Sequence, residues 1–120
     1  MATVEVTASN IQQVIDDNDF VILDFWASWC GPCVRFGPVF EASSEKHSDV
    51  VFGKINTEQE QALSAQLGIR SIPMLMVFRD QIQVFAQPGA MPEPMFEELI
   101  QNVRDLDMDE VRATIDAQSS

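Results

Sequence analysis

The sequence predicts an α/β fold in which helices cover both faces of a mixed central sheet. Segments with strand and helix patterns alternate along most of the chain, and the last two strand patterns follow each other directly. Alternation is typical of parallel strands, whereas two adjacent strand patterns indicate an antiparallel hairpin. The chain has 120 residues, 46% of them hydrophobic, which is the size of one domain that needs no crosslink in order to fold.

The first third of the chain predicts a strand, a helix and a buried strand. The segment TVEVT (3–7) alternates as a short strand does, and a helix follows to about Asp17. Ser9 and Gln12 have the spacing of a capping box at the start of that helix. The segment FVILDFW (20–26) is an almost continuous run of strand-forming apolar residues, as expected for a strand that is buried on both faces.

The middle of the chain continues the alternation. A helix is predicted over 30–47, with an interruption at Pro38, because proline has no N–H group for the helical hydrogen bond. The segment VVFGKIN (50–56) indicates a second buried strand. A further helix is predicted over 58–68, and Gly68 is the residue expected to stop it.

A hairpin and a helix are predicted next. The segments MLMVFR (74–79) and IQVFAQ (82–87) indicate two antiparallel strands joined at Asp80 and Gln81. This turn lacks the glycine that tight hairpins prefer, so a longer or looser connection is expected. From Pro92 onward, apolar residues recur at helical spacing.

The charge and the N-terminal segment limit the kinds of partner and location. The 19 acidic and 7 basic residues give a net charge of -12, which repels nucleic acid and anionic membrane surfaces. The first ten residues have neither the basic nor the apolar region of an export signal, and no apolar stretch has the length of a membrane span. We therefore expect a cytoplasmic protein without nucleic-acid or membrane partners. Separately, we expect it to be a monomer.

The chain has two cysteines, Cys30 and Cys33, and three kinds of role are open to them. A structural disulfide between residues so close in sequence would close a very short loop and stabilise the fold only weakly. A zinc site needs four ligands, but besides the pair the chain has a single histidine, His47, and an iron–sulfur cluster would need a second subunit. These counts favour a redox-active thiol pair.

The residues around the pair favour that chemistry. Gly31 and Pro32 suit a tight turn that leads into a helix, because proline is tolerated in the first helical turn. Cys30 is then expected at the helix N-terminus, where free N–H groups and the helix dipole favour the thiolate. Cys33, one turn further in and less exposed, is positioned to attack a mixed disulfide formed on Cys30.

Together these residues resemble the thioredoxin family. The resemblance rests on VILDFWASWCGPC (21–33), Pro38, Lys54 in FGKIN, GIRSIP (68–73) and Gly89, and it spans about residues 3–104 in order. It implies the thioredoxin fold, with about five strands and about four flanking helices, and a protein dithiol-disulfide oxidoreductase activity.

The resemblance also implies individual roles. Cys30 would attack client disulfides and Cys33 would resolve the mixed disulfide, without a bound cofactor. Asp24, the lone charge in a buried strand, would have a pKa raised by desolvation and accept a proton from Cys33, with Lys54 as its charge partner. The client-binding residues would be Trp29, Gly31, Pro32, Ile72, Pro73 and Gly89, and the Ile72–Pro73 peptide bond would be cis.

The implied partners are disulfide-containing client proteins and an NADPH-linked flavoprotein, thioredoxin reductase, which would keep the pair reduced. An isomerase or oxidase, and a binding module in which redox chemistry is incidental, are the alternatives. Several positions depart from the family pattern and bear on the choice of partner more than on the chemistry: Val34, Arg35, Thr57, Glu58, Met74 and Pro88. Ser43 and His47 stand where the family tends to have large apolar residues, and His47 is expected to pack at or near the surface.

The chain continues beyond the usual length of the family. We expect a thioredoxin domain over residues 1–106 and an acidic extension over residues 107–120. Asp107 and Glu110 have capping-box spacing and would begin a short helix. No function is expected for this extension.

Overall fold

A computed structural model describes residues 2–119 and confirms the mixed sheet. The strands are β1 (Thr3–Glu5), β2 (Phe20–Trp26), β3 (Val51–Asn56), β4 (Met74–Arg79) and β5 (Ile82–Pro88). The helices are α1 (Ile11–Asp16), α2 (Gly31–Lys46), α3 (Gln61–Gln66), α4 (Glu93–Arg104) and α5 (Met108–Ser119). Within residues 2–119, no helix combines the length and the apolar character needed to cross a membrane.

Strand β2 lies at the centre of the sheet, whose order is β1-β3-β2-β4-β5. It pairs parallel with β3 and antiparallel with β4, and β4 pairs antiparallel with β5. This central position explains the continuous apolar run in β2, since both faces of the strand are covered. Asp24 is in register with Lys54 of β3 on one side and with Leu75 of β4 on the other.

Two hydrophobic clusters lie on opposite faces of the sheet. Phe20 and Ile22 of β2 belong to the cluster that α2 and α4 cover, where several phenylalanine rings meet edge to face. Val21, Leu23 and Phe25 belong to the cluster on the other face, beneath α1 and α3. Because side chains alternate along a strand, Asp24 and Trp26 point to the same face as α2.

Gly53 in β3 is predicted to tolerate no side chain. A Cβ atom there would lie 2.6 Å from Val6 Cγ2 and 2.9 Å from Leu23 Cδ2, and both residues are fully buried. We expect Gly53→Ala to lower the free energy of unfolding by about 1–3 kcal/mol, as overpacking of a dense core does. Chemical denaturation of the oxidised protein measures this change.

Gly37→Ala is the matched control for this prediction. In α2, a Cβ atom at Gly37 would have only Lys54 Nζ as a neighbour, at 4.0 Å. Alanine is favoured over glycine inside a helix by about 1 kcal/mol, so this variant should be as stable as the parent or more so. Equal effects of the two substitutions would contradict the packing argument.

The hairpin is tighter than its sequence predicts. Arg79 pairs with Ile82, so Asp80 and Gln81 form a two-residue turn in which both residues have positive φ, 51° and 67°. Contacts outside the hairpin hold this turn without glycine: Asp80 N–H donates to Asp19 O at 2.8 Å, and Gln81 Nε2 donates to the carbonyl groups at the end of α1 and in the following loop. The expectation of a loose connection was therefore wrong.

The capping box predicted at Ser9 and Gln12 does not form. Helix α1 begins after Asn10, whose side chain makes no capping bond to the helix. Asn10 Oδ1 instead accepts from Thr7 N–H at 2.8 Å, and Ser9 Oγ pairs with Thr7 Oγ1 at 2.9 Å. Hydrogen bonds inside the loop thus compete with the cap.

Two helices also differ from their predicted extent. Helix α3 begins later than predicted because Asn56 Oδ1 accepts from Glu58 N–H at 3.0 Å, which holds residues 57–59 in a turn. Gly68 ends that segment with φ of 70°, as predicted. Helix α2 runs through Pro38 without interruption, because Phe36 and Phe40 on either side are packed in the core.

Ser43 and His47 connect α2 to α4. Ser43 is fully buried, and its Oγ donates to Glu97 Oε2 at 2.6 Å. His47 is half-buried, stacks on Phe52 and pairs with Glu97 Oε1 at 2.8 Å. These hydrogen bonds satisfy the polar groups that replace apolar residues here, and the packing role expected of His47 is confirmed.

The C-terminal helix α5 packs against the rest of the chain. As predicted, Asp107 caps it: Asp107 Oδ1 accepts from Glu110 N–H at 3.2 Å. Met108 is buried, and Arg112 forms an ion pair with Asp80 in the hairpin turn at 3.0 Å. The helix therefore touches the hairpin, at the side of the sheet where β4 and β5 turn.

Candidate redox site

Cys30 and Cys33 are joined by a disulfide, with their Cα atoms 5.2 Å apart. Strand β2 ends at Trp26 and α2 begins at Gly31, so a short loop carries Cys30 to the N-cap position of α2. Pro32 lies in the first turn of the helix, as predicted. The local sequence therefore places both sulfur atoms at the N-terminus of a helix.

The start of α2 favours negative charge on Cys30. Cys33 N–H donates to Cys30 Sγ at 3.2 Å, and the first turn of the helix has no acidic residue. When the disulfide opens, this N–H group and the helix dipole stabilise a thiolate on Cys30. Cys33 is less exposed than Cys30, as predicted, but the difference is small, 3% against 5%.

A second loop lies against the disulfide. The Ile72–Pro73 peptide bond is cis, which confirms the expectation for it, and Ile72 O lies 3.7 Å from Cys30 Sγ. A third loop follows β5, where Gly89 has φ of 105° and its N–H donates to Pro73 O at 2.7 Å. Three loops thus meet at one end of the sheet.

Trp29 projects from this surface with 71% of its area exposed, and Gly31 and Pro32 beside it are also exposed. Pro73 is buried, and Ile72 is partly buried against the cysteines. The sequence prediction grouped these residues through a family resemblance, and the fold brings them to the same end of the molecule. Their role in holding a client stays a prediction.

Asp24 is fully buried in β2, on the face that α2 covers. Neither of its carboxylate oxygens has a hydrogen-bond partner among the described residues. Burial raises the pKa of Asp24 to about 7, and the positive charge of Lys54 limits that rise. The carboxyl group can therefore gain or lose a proton near neutral pH.

Lys54 lies opposite Asp24 in the neighbouring strand. Its Nζ is 5.0 Å from the centroid of the Trp26 ring, a cation–π distance, and it forms no ion pair within the described part of the chain. Its influence on Asp24 is thus electrostatic at a distance, without a direct contact.

Sequence reasoning missed two contacts at the rim of the site. Thr57 donates to Trp26 O through its N–H at 2.9 Å and through Oγ1 at 3.1 Å, which ties the end of β2 to the next loop. Ser28 Oγ donates to Glu58 Oε1 at 3.1 Å, next to Trp29. No local pattern signals such contacts, because their partners are about 30 residues apart in the chain.

Comparisons with known proteins agree with this geometry. The family model described as Thioredoxin matches residues 2–105. Putative thioredoxin 2 of Streptomyces coelicolor is 51% identical over 119 residues, which are 99% of this chain and 89% of that protein. The thioredoxin of Alicyclobacillus acidocaldarius is 38% identical over 103 residues, which are 85% of this chain and 98% of that protein.

Solved structures show the same fold. A mutant thioredoxin from Halobacterium salinarum superposes with a TM-score of 0.79 at 35% identity, over 87% of this chain and 92% of that one. Thioredoxin f from spinach chloroplast superposes with a TM-score of 0.78 at 30% identity, over 87% of this chain and 95% of that one. The chain belongs to the thioredoxin family, and with its Cys30–Cys33 disulfide it is a thiol-disulfide oxidoreductase.

Proposed function

We propose that this protein reduces disulfides in client proteins, with Cys30 as the attacking thiol and Cys33 as the resolving thiol. The observation that carries the proposal is the position of Cys30 at the N-cap of α2, where its Sγ already accepts Cys33 N–H. The same N–H group would favour the thiolate once the pair is reduced. Cys33 has no comparable position, because it lies inside the first turn.

The proposed reaction has two steps. First, the Cys30 thiolate attacks one sulfur of the client disulfide, a mixed disulfide forms, and the client's other sulfur leaves as a thiolate that takes up a proton. Second, Cys33 loses its proton and attacks Cys30 Sγ, which forms the Cys30–Cys33 disulfide and releases the client's second thiolate. The client gains two electrons, which the cysteine pair loses. Each client thiolate takes up a proton from solvent; the pair releases two protons in total, one from Cys30 before the first attack and one from Cys33 in the second step.

We propose that Asp24 accepts the Cys33 proton in the second step, directly or through a water molecule. Two observations support this role: Asp24 is buried on the face of the sheet that α2 covers, and its pKa is raised to about 7. A base with a pKa near the working pH can both take up and return a proton. Lys54 would tune this base, because its charge favours the ionised carboxylate.

We propose that clients bind across Trp29, Gly31, Pro32, Ile72, Pro73 and Gly89. The exposed Trp29 ring offers an apolar contact, and the loop at Ile72 lies beside the sulfur that would be attacked. An extended client segment fits such a site, because the backbone of a loop can pair with the backbone of a strand.

Further proposals follow from the family. A donor must return the pair to the dithiol form, and we propose an NADPH-linked flavoprotein, thioredoxin reductase, for this electron transport. A reductant of this kind suits the cytoplasm, where thiols are kept reduced. We propose that the chain acts there as a monomer.

We also propose that residues 1–106 form the thioredoxin domain and that residues 107–120 form an extension. A family match that ends at residue 105 supports this division.

The redox potential of the cysteine pair tests the proposed direction of electron flow. The protein would be equilibrated with glutathione or dithiothreitol redox buffers, and fluorescence of Trp26 and Trp29 would report the oxidised fraction. We expect a potential well below that of the glutathione couple, near the ~-270 mV of a reducing thioredoxin. A potential near ~-120 mV, as in an oxidase of exported proteins, would contradict the proposal. If the pair never exchanges with the buffer, a binding module becomes the better account.

A further inference from the structure

Most basic side chains of this acidic protein have a partner within the described chain, but two do not. The chain has 7 basic residues against 19 acidic ones. Five of the basic side chains have a partner: three form ion pairs with carboxylates, one donates to backbone carbonyl groups, and one lies over an aromatic ring. These are Lys46, Arg104, Arg112, Arg79 and Lys54. Within residues 2–119, Arg35 and Arg70 are the basic residues without such a partner.

Arg35 lies beside the disulfide, and Arg70 belongs to the loop that reaches it. Arg35 follows Cys33 by two positions in α2, and its Nη1 lies 3.2 Å from where a Cβ atom on Gly31 would be. Its guanidinium group therefore lies over the turn between the two cysteines. Arg70 precedes Ile72 by two positions, and Ile72 O is 3.7 Å from Cys30 Sγ. Arg35 and Arg70 are both exposed.

The rim also has an acidic residue, Glu58, on the side of Trp29. Its Oε1 already accepts from Ser28 Oγ at 3.1 Å, so part of its hydrogen-bonding capacity is used. Within residues 2–119, the guanidinium groups of Arg35 and Arg70 donate to no carboxylate or backbone carbonyl group, so these donors can bind a partner protein. A guanidinium group donates to a carboxylate through two parallel hydrogen bonds, which fixes the orientation as well as the distance of the pair.

We propose that Arg35 and Arg70 select clients whose reactive disulfide is flanked by acidic residues. This inference rests on the proposed reductase function and adds the chemical class of its preferred substrate. The net charge of -12 repels an acidic client at long range, but at physiological ionic strength charges beyond about 8 Å are largely screened. At contact, the two arginines therefore outweigh the remote acidic groups and orient the client over Cys30.

Three synthetic peptides test this selection. They share one length and one intramolecular disulfide, and the residues beside the cysteines are two Glu, two Gln or two Lys. Stopped-flow tryptophan fluorescence would give the rate constant at which the reduced protein reduces each peptide at about 0.15 M salt. Each rate constant is divided by the rate constant at which dithiothreitol, a small uncharged thiol compound, reduces the same peptide. This ratio removes the effect of the flanking charges on the reactivity of the peptide disulfide itself.

The variants are Arg35→Gln, Arg70→Gln, the double variant, and Lys46→Gln as the matched control. Lys46 also lies in α2, but it is paired with Glu93 and is about 16 Å along the helix from Arg35 at 1.5 Å per residue. All three side chains are exposed, so their loss leaves the core unchanged. The charge reversal Arg35→Glu provides a second, stronger probe of the same position.

For the parent protein we expect the Glu peptide to react about three- to tenfold faster than the Gln peptide after normalisation. The ratio should fall to about one in the double variant, stay unchanged in Lys46→Gln and drop further in Arg35→Glu. A ratio of one in the parent, or a ratio that survives in the double variant, overturns the inference while leaving the reductase function intact. If the parent fails to reduce even the Gln peptide, the proposed function fails as well.

Discussion

Cys33→Ser is expected to stop the reaction after one event and to leave the client covalently bound to Cys30. In this variant the first attack proceeds, because Cys30 keeps its position at the N-cap of α2. The second attack is lost, because a serine hydroxyl group is too weak a nucleophile to open the mixed disulfide. Turnover should fall by more than about 10³-fold, since an external thiol lacks the high effective concentration of an intramolecular one. Mass spectrometry of the trapped adduct, with stopped-flow release of one client thiol per protein, measures this outcome.

Cys30→Ser is the matched control for the trap. It removes the attacking thiol, so neither an adduct nor a released client thiol is expected. Both cysteines are almost buried in the oxidised protein, at 5% and 3% exposure, so burial alone does not assign their roles. An adduct that forms on Cys33 in Cys30→Ser, and none in Cys33→Ser, would show that the two roles are exchanged.

Asp24→Asn is expected to remove a large dependence of stability on pH. The pKa of Asp24 is about 7 in the folded protein and 3.8 in the reference state, so at intermediate pH the folded protein holds a proton that the unfolded chain has lost. Stability therefore falls as the pH rises from about 4 to about 7, and the total loss approaches 4 kcal/mol at about 1.4 kcal/mol per pKa unit. The Asn variant has no such proton, so it should gain about this much relative to the parent between pH 4 and pH 9.

Denaturant unfolding of the oxidised proteins across this pH range measures the difference between the two curves. Lys54→Gln serves as the companion variant: without the lysine charge the pKa of Asp24 rises further, so the loss of stability extends to higher pH. In catalysis, Asp24→Asn should slow client release by about 10²-fold or more, the usual contribution of a general base. Parallel stability curves for the parent and Asp24→Asn would contradict the buried-carboxyl assignment.

The elements of the fold were largely predictable, because their signals lie within single segments. The apolar run in 20–26 is typical of a central strand, and β2 indeed has strands on both sides. The alternation followed by a hairpin predicted the mixed sheet correctly. Element ends were less predictable: α3 begins at Gln61 because Asn56 holds the preceding residues in a turn. An asparagine side chain can hydrogen-bond to several nearby backbone groups, and the conformation of the surrounding loop decides which bond forms.

The conformation of the hairpin turn could not be predicted from the residue types within it. Two consecutive residues with positive φ normally call for glycine, asparagine or aspartate, and Gln81 is none of these. The turn is held by hydrogen bonds to residues near α1 and by an ion pair to Arg112 in α5. Contacts between segments more than 30 residues apart thus outweigh the local preference, and a single segment cannot reveal them.

The redox pair and its position at a helix N-terminus follow from one short segment of the sequence. Cys30, Pro32 and Cys33 lie within one helical turn, and the hydrogen bond and dipole that favour the Cys30 thiolate come from that same turn. The surroundings of the pair depend on the packed fold: the full burial of Asp24, the loop of Ile72 against Cys30, and Arg35 over the turn between the cysteines, with no ion pair to it within residues 2–119. The difference lies in the distance along the chain over which each effect arises. A helix terminus is set by neighbouring residues, whereas desolvation and charge pairing depend on every element packed around a group.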